Sequence, residues 1–279
     1  MDAAEIVYRF YDSYKGEKFI YGRSECGLPL VGIFIGRHNE YPLILAQYAI
    51  HAREWITSLL ALEHAKRSLA AGGAYILPLV NPDGVKLAQN GKIFLEKLPA
   101  AQRELLSKAN GGSNDFSLWK ANARAVDLNV NFNADWGTGK ANVYRPSSQN
   151  YVGEFPESEA ETRALCRLTR RILPNATISF HTKGGEIYWE YGQVGEDYLR
   201  DSRIAERLAR SAEYQAKKIC GSVGGYKDWC IQSLHLPSFT VEAGSESFSH
   251  PLTERELPFL IKDCGNMLIR LSEIMRYER

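Results

Sequence analysis

His51 and Glu54 stand three residues apart in His51-Ala52-Arg53-Glu54-Trp55, directly after the apolar run 43–50. A strand therefore delivers an imidazole and a carboxylate to a turn. If that turn opens a helix, side chains at i and i+3 share one face about 5 to 6 Å apart, a spacing that suits two ligands of one metal ion, zinc first. The plain alternative is a histidine at a helix start beside a solvated glutamate. Two further polar residues close apolar runs: His181 follows 176–180 and Glu242 follows 238–241. Zinc in hydrolytic sites takes three ligands from His and Glu or Asp and keeps a fourth position for water. His51, Glu54 and His181 supply such a set, and Glu242 is the carboxylate placed to take a proton from that water. Singly, His181 also reads as a core histidine bonded to backbone and Glu242 as half of an ion pair; their common placement at strand ends favours the site. His38, His64, His235 and His250 lie in a polar loop, mid-helix and beside prolines, and read as solvated.

Strands and helices must alternate to bring these groups together. Segments 28–35, 43–50, 74–80, 176–180 and 238–241 have strand character, whereas 55–69, 100–108, 157–172, 203–218 and 254–275 carry apolar residues at helical spacing. Asn81-Pro82-Asp83-Gly84 breaks the run before it, and 129–154 lacks periodicity, which predicts a long surface excursion. The pattern predicts an α/β fold, a mostly parallel or mixed sheet with helices on both faces, as a single domain over 1–279. In open α/β sheets, sites form outside the carboxyl ends of strands, where His51 with Glu54, His181 and Glu242 all fall.

Bulk composition narrows the partners. Lys plus Arg number 34 against 33 for Asp plus Glu, a net charge of +1, so there is no electrostatic case for nucleic acid or an anionic membrane and a small molecule or peptide is expected. Five scattered cysteines with no Cys-x-x-Cys pair argue against a disulfide framework. The acidic N-terminus has neither the basic region nor the apolar run of a signal peptide, and no stretch approaches membrane-spanning length. This reads as a soluble cytoplasmic chain, although one trimmed of a leader would look the same. His-Glu-x-x-His, Gly-x-Ser-x-Gly and phosphate-loop motifs are absent.

With these residues in hand, the chain resembles the M14 zinc carboxypeptidase family. His51-Ala52-Arg53-Glu54-Trp55-Ile56-Thr57 matches its first zinc motif, followed in order by Asn81-Pro82-Asp83-Gly84, Trp119-Lys120, Val126-Asp127-Leu128-Asn129, Phe180-His181-Thr182, Asp228-Trp229 and Phe239-Thr240-Val241-Glu242. The resemblance implies a mixed eight-stranded sheet flanked by helices. It also implies one zinc ion on His51, Glu54 and His181, Glu242 as general base, and Asp127 as the carboxylate that accepts a hydrogen bond from the first zinc histidine. Arg53 and Asn129 match substrate-contacting positions. Lys120 stands where the family usually has Arg, with Arg124 as a second nearby cation, and either would steady a developing oxyanion.

Two departures redirect the substrate. The Arg that grips a terminal carboxylate after the family Asn is here Val130, and the tyrosine that closes over substrate aligns with Cys220, leaving Tyr226 or another loop residue to replace it. By resemblance Lys227 lies at the floor of the leaving-side pocket, where a buried cation selects an acidic group; the bland alternative is a surface lysine. With Trp119-Lys120-Ala121-Asn122 and the segment from His181 through Lys183 to Trp189, these features are similar to bacterial γ-D-glutamyl-diamino acid peptidases. The expectation is a zinc peptidase cutting muropeptides between D-Glu and meso-diaminopimelate or L-Lys, the bound ligand meeting Lys227 and Lys183. The competing readings are a metallocarboxypeptidase removing acidic C-terminal residues and a non-catalytic cell-wall peptide sensor.

Overall fold

The protein, as a computed structural model, is described over residues 1–278. Its strands are β1 (Glu17–Arg23), β2 (Pro29–Gly36), β3 (Leu43–Tyr48), β4 (Gly73–Leu77), β5 (Ala176–His181), β6 (Glu186–Tyr188), β7 (Gln215–Lys217) and β8 (Ser238–Glu242). They form one mixed sheet in the order β1-β2-β4-β3-β5-β8-β6-β7. Four central strands, β4, β3, β5 and β8, run parallel and are buried, while antiparallel strands extend both flanks. The expected eight-stranded mixed architecture is present.

Helices cover both faces. They are α1 (Ala3–Ser13), α2 (Ile56–Ala65), α3 (Pro82–Asn90), α4 (Lys92–Leu95), α5 (Ala100–Ala109), α6 (Ala160–Ile172), α7 (Gly195–Ser211), α8 (Tyr226–Leu234), α9 (Leu257–Cys264) and α10 (Met267–Met275). On one face Ile44, Ala46, Ile178, Phe180, Phe239 and Val241 pack with α1, α2, α7, α9 and α10. On the other, Leu45 and Leu77 meet Leu165 of α6 and Trp229 of α8. The two-residue strand period sends alternate side chains to opposite cores.

Several expected elements differ. The closing helix predicted over 254–275 is two helices, interrupted at Gly265-Asn266. The helix predicted over 203–218 begins at Gly195 and stops at Ser211, after which Glu213 takes a left-handed φ of 57° and the chain enters edge strand β7. Asn81-Pro82-Asp83-Gly84 ends a strand and also starts α3: the Asn81 side chain accepts from Gly84 N at 3.0 Å and Pro82 occupies the first turn, where a missing N–H is harmless. The excursion at 129–154 is irregular, yet it buries Phe132, Ala134 and Val152. Strand β1 went unpredicted because, at the sheet edge, it lacks clean burial alternation.

Candidate active site

Three neighbouring parallel strands end at one place. His181 and Glu242 are register partners at the ends of β5 and β8, and β3 lies on the other side of β5. Because Phe180 and Val241 fill one core, His181 and Glu242 face the opposite side of the sheet. His51 follows β3 by way of Ala49, held at a left-handed φ of 49°. That conformation is stabilised by three bonds: Ala49 N donates to Thr57 Oγ1 at 2.9 Å, Asn81 N to Ala49 O at 3.2 Å, and Thr57 Oγ1 to Glu54 O at 2.8 Å. Asn81 Nδ2 also donates to Ile50 O and Ala121 O, each at 3.1 Å. The Asn-Pro-Asp-Gly landmark thus clamps the turn that presents His51. Residues Ala52–Glu54 form one 3-10 turn, which returns Glu54 to His51.

The triad is buried and tightly convergent. His51 Nδ1 lies 2.9 Å from Glu54 Oε1, and His181 Nδ1 lies 3.0 Å from Glu54 Oε2 and 3.1 Å from His51 Nδ1. Two imidazole nitrogens and a carboxylate within 4.8 Å of one another make a donor set that fits one tetrahedral cation. On the far side of the ring, His51 Nε2 faces Asp127 Oδ1 at 3.3 Å, which fixes the proton on Nε2 and leaves the Nδ1 lone pair for a cation. Asp127 is itself held by Lys120 Nζ at 3.3 Å, Asn129 N at 3.1 Å and Asn150 N at 3.0 Å.

Charge balance follows from this geometry. Burial works against ionised Asp127, but Lys120 and His51 hold it well below the ordinary carboxylate range. Burial likewise opposes ionised Glu54, and His51 and His181 overcome it to hold that carboxyl far down. Burial disfavours charge on His51, yet Glu54 raises its pKa despite Lys120. The negative field that keeps a proton here would also hold a metal cation. Glu242 differs: burial pushes it up to about 7, moderated by His181.

A cavity of about 180 Å³ opens beside the triad, lined by His51 and Glu242 and also by Val130 and Lys227. A larger one, about 530 Å³, shares only Ile219 and Ser222 with it and contains none of the triad, so the chemistry places the site at the smaller. Lys120, Asp127 and Asn129 line the smaller cavity, and Asn129 Oδ1 accepts from Tyr226 N at 3.2 Å. Lys227 is only 5% exposed; its Nζ donates to Asp228 Oδ1 at 2.6 Å and Glu190 O at 3.0 Å. Arg53 and Lys183 flank the triad beside His250.

Some expected residues are placed elsewhere. Tyr226 cannot close over a substrate: it is fully buried, its hydroxyl bonds Thr169 Oγ1 at 2.8 Å, and its ring packs between Phe132 and Trp229. Arg124 turns to Glu154 at 3.2 Å and Glu159 at 3.7 Å and does not line the cavity, so Lys120 is the nearer cation. His64 is buried, not solvated, bridging Tyr48 Oη at 2.5 Å and the Cys264 carbonyl at 2.9 Å, and burial lowers it to about 4. His250 is half-buried. His38 and His235 are exposed, as expected. Tyr188 and Asn150, unassigned from the sequence, both line the cavity. The pairing of Tyr188 with Thr240 on β8 puts it there, and only strand register carries that signal.

A second carboxylate cluster, Glu25, Glu159 and Glu161, is built otherwise. Glu159 accepts from Ser158 and Asn122, Glu161 from Glu25 N and Asn122, and Glu25 from Ala160 N. Burial raises both Glu159 and Glu161, the latter to about 8.

Comparison with known proteins bears on this geometry. A family model described as zinc carboxypeptidase matches residues 16–267. The chain is 35% identical to γ-D-glutamyl-L-diamino acid endopeptidase 1 of Lysinibacillus sphaericus over 255 residues, covering 84% of this chain and 62% of the relative. It is 32% identical to murein peptide amidase A of Escherichia coli K12 over 235 residues, covering 80% and 79%. Among solved structures, bovine thrombin-activatable fibrinolysis inhibitor aligns with a TM-score of 0.73 at 21% identity, covering 99% of this chain and 94% of that one. Murein-tripeptide amidase from E. coli O157 aligns with a TM-score of 0.60 at 24% identity, covering 94% and 95%.

Proposed function

This chain belongs to the zinc carboxypeptidase family, and on that premise we propose that it hydrolyses the γ-D-glutamyl bond to a diamino acid, meso-diaminopimelate or L-Lys, in peptidoglycan stem peptides. The observation that carries this reading is the leaving-side cavity, where Val130 occupies the position of the family arginine and the cations that line it are Lys120 and Lys227. A lysine ammonium has three donors, and Lys227 spends two on Asp228 and Glu190, leaving one for an acidic group on the leaving residue. Diaminopimelate carries such a side-chain carboxylate. The name of the Lysinibacillus relative favours the same bond, and that of the Escherichia coli relative favours a murein peptide.

His51, Glu54 and His181 would hold the zinc ion, which when bound lowers the pKa of an attacking water and polarises the scissile carbonyl. Glu242 accepts the water's proton on a carboxylate oxygen and returns it to the leaving nitrogen. Its pKa near 7 suits both transfers. Lys120, anchored by Asp127, offsets the developing oxyanion. Asn129 Oδ1 accepts from Tyr226 N, and its Nδ2 group is kept for substrate.

Incubation with L-Ala-γ-D-Glu-meso-diaminopimelate should release diaminopimelate, and Lys227→Met should cut kcat/KM about tenfold or more, as expected for one charged hydrogen bond. No cleavage of that peptide, with release of ordinary acidic C-terminal residues instead, would overturn the reading in favour of a carboxypeptidase. Lys227 also suits that second reading. Substrates amidated at the C-terminal carboxyl separate the two, since an exopeptidase must lose them.

A further inference from the structure

Two cations near the triad, Arg53 and Lys183, do not line the cavity that Lys227 lines. Arg53 lies in the turn between His51 and Glu54, Lys183 follows His181 by two residues, and His250 arrives from a distant loop. The charged groups that act on His250 are Glu54, Arg53, Lys183 and His51. Three polar atoms in this neighbourhood, Arg53 Nε, Thr182 Oγ1 and His250 Nδ1, are buried without a partner among the described residues. Such atoms are costly unless something fills the space and bonds to them. Lys183 donates to Glu246 O at 2.5 Å, which leaves two of its three donors.

Arg53 and Lys183 therefore offer positive charge and unspent donors here; the acidic neighbours are Glu54, which faces the triad, and Glu186 and Glu242, which lie beside Gly184. Chemistry supplies the complement. A peptide bond formed through the γ-carbon of glutamate leaves the α-carboxylate of that same residue free on the acyl side, whereas an ordinary α-linked residue has none there. Resting on the γ-glutamyl reading above, we propose that Lys183, His250 and Arg53 form a seat for the free α-carboxylate of the D-glutamyl residue. Two separate groups of donors would then recognise the two sides of the scissile bond: Lys227 the diamino acid, and Lys183 and Arg53 with neutral His250 the glutamyl residue. Burial holds His250 down to about 4, so it serves as a neutral N–H donor and not as a charge.

The test compares L-Ala-γ-D-Glu-meso-diaminopimelate with the same peptide amidated at the D-Glu α-carboxyl. The wild type should favour the acid by about tenfold to a hundredfold in kcat/KM, the effect expected of charge-assisted hydrogen bonds. Lys183→Met should narrow that ratio about tenfold, and Lys183→Arg should restore most of it. If Lys183→Met fails to fold, judged by zinc content and melting, His250→Gln carries the same comparison. Equal cleavage of acid and amide by the wild type overturns this inference and leaves the γ-glutamyl reading standing, as does a ratio that no variant at Lys183 or His250 narrows. Cleavage of neither peptide removes both.

Discussion

Two groups of buried carboxylates lie in this molecule, and they are finished differently. Glu54 meets two imidazole nitrogens that approach each other to 3.1 Å, while Glu159 and Glu161 meet the Asn122 amide, the Ser158 hydroxyl and backbone N–H groups. Lone pairs converge in the first, so it calls for a cation. Donors already satisfy the second, and its residual negative charge is reduced by protons, as the raised Glu161 shows. Proximity of acidic groups thus does not make a metal site; what decides is whether the neighbouring polar atoms bring lone pairs or hydrogens.

The sharpest way to break this contrast is at Glu242, whose role depends on the first group alone. Glu242→Gln should lower kcat/KM about a thousandfold while zinc remains bound, measured by turnover and metal content. Zinc lost along with activity would make Glu242 a ligand instead of a base.

Metal removal gives the next effect. Chelation should destabilise the wild type by about 4 kcal/mol at zinc near a thousand times its dissociation constant, read as a shift in melting temperature. In His181→Ala, added zinc should no longer shift melting. A shift that persists would mean that the Glu25 cluster takes the ion after all.

Asn122→Ala attacks the second group. It removes the donor shared by Glu159 and Glu161 and the acceptor for Arg124 N and Val126 N. A loss of about 2 to 3 kcal/mol in denaturant unfolding is expected, with zinc affinity unchanged.

The last test concerns pH. Glu161 keeps its proton to about 8 when folded, against an ordinary 4.5 when unfolded, so the folded state binds more protons between those values. Its stabilising contribution is complete below pH 4.5 and is lost as pH rises through 8. Glu161→Gln should flatten the fall in stability over that window, leaving the slopes from other raised carboxyls, Glu159 and Glu242 among them. An unchanged slope would show that Glu161 is ionised and would bring the two clusters closer in kind.

Much of the site was legible because each chemical residue closes a local pattern. His181 and Glu242 end apolar runs, and His51 with Glu54 brackets a turn. Tyr188, Asn150 and His250 ended no such pattern. They reach the site through the β6 to β8 register, through the irregular tract that buries Phe132, and through a half-buried loop. His64 misled for a related reason: its partners are Tyr48 and Cys264, the latter 200 residues away, so nothing near it in the sequence marks it as buried. Tyr226 misled because an aromatic hydroxyl beside a site motif looks the same whether its ring faces a substrate or Trp229.

Residue types and spacing by themselves pointed to His51, Glu54 and His181 as one donor set, to a mostly parallel or mixed α/β sheet and to Glu242 at a strand end, since all of these are local in sequence, and the family resemblance added Val130 in place of an arginine. Only the tertiary structure decided the rest. Coulombic and hydrogen-bond energies depend on distances between segments, and folding set those distances. It turned Arg124 to Glu154 and Glu159, left Lys120 over Asp127, buried Lys227 against Asp228, and brought Arg53 and Lys183 near His250.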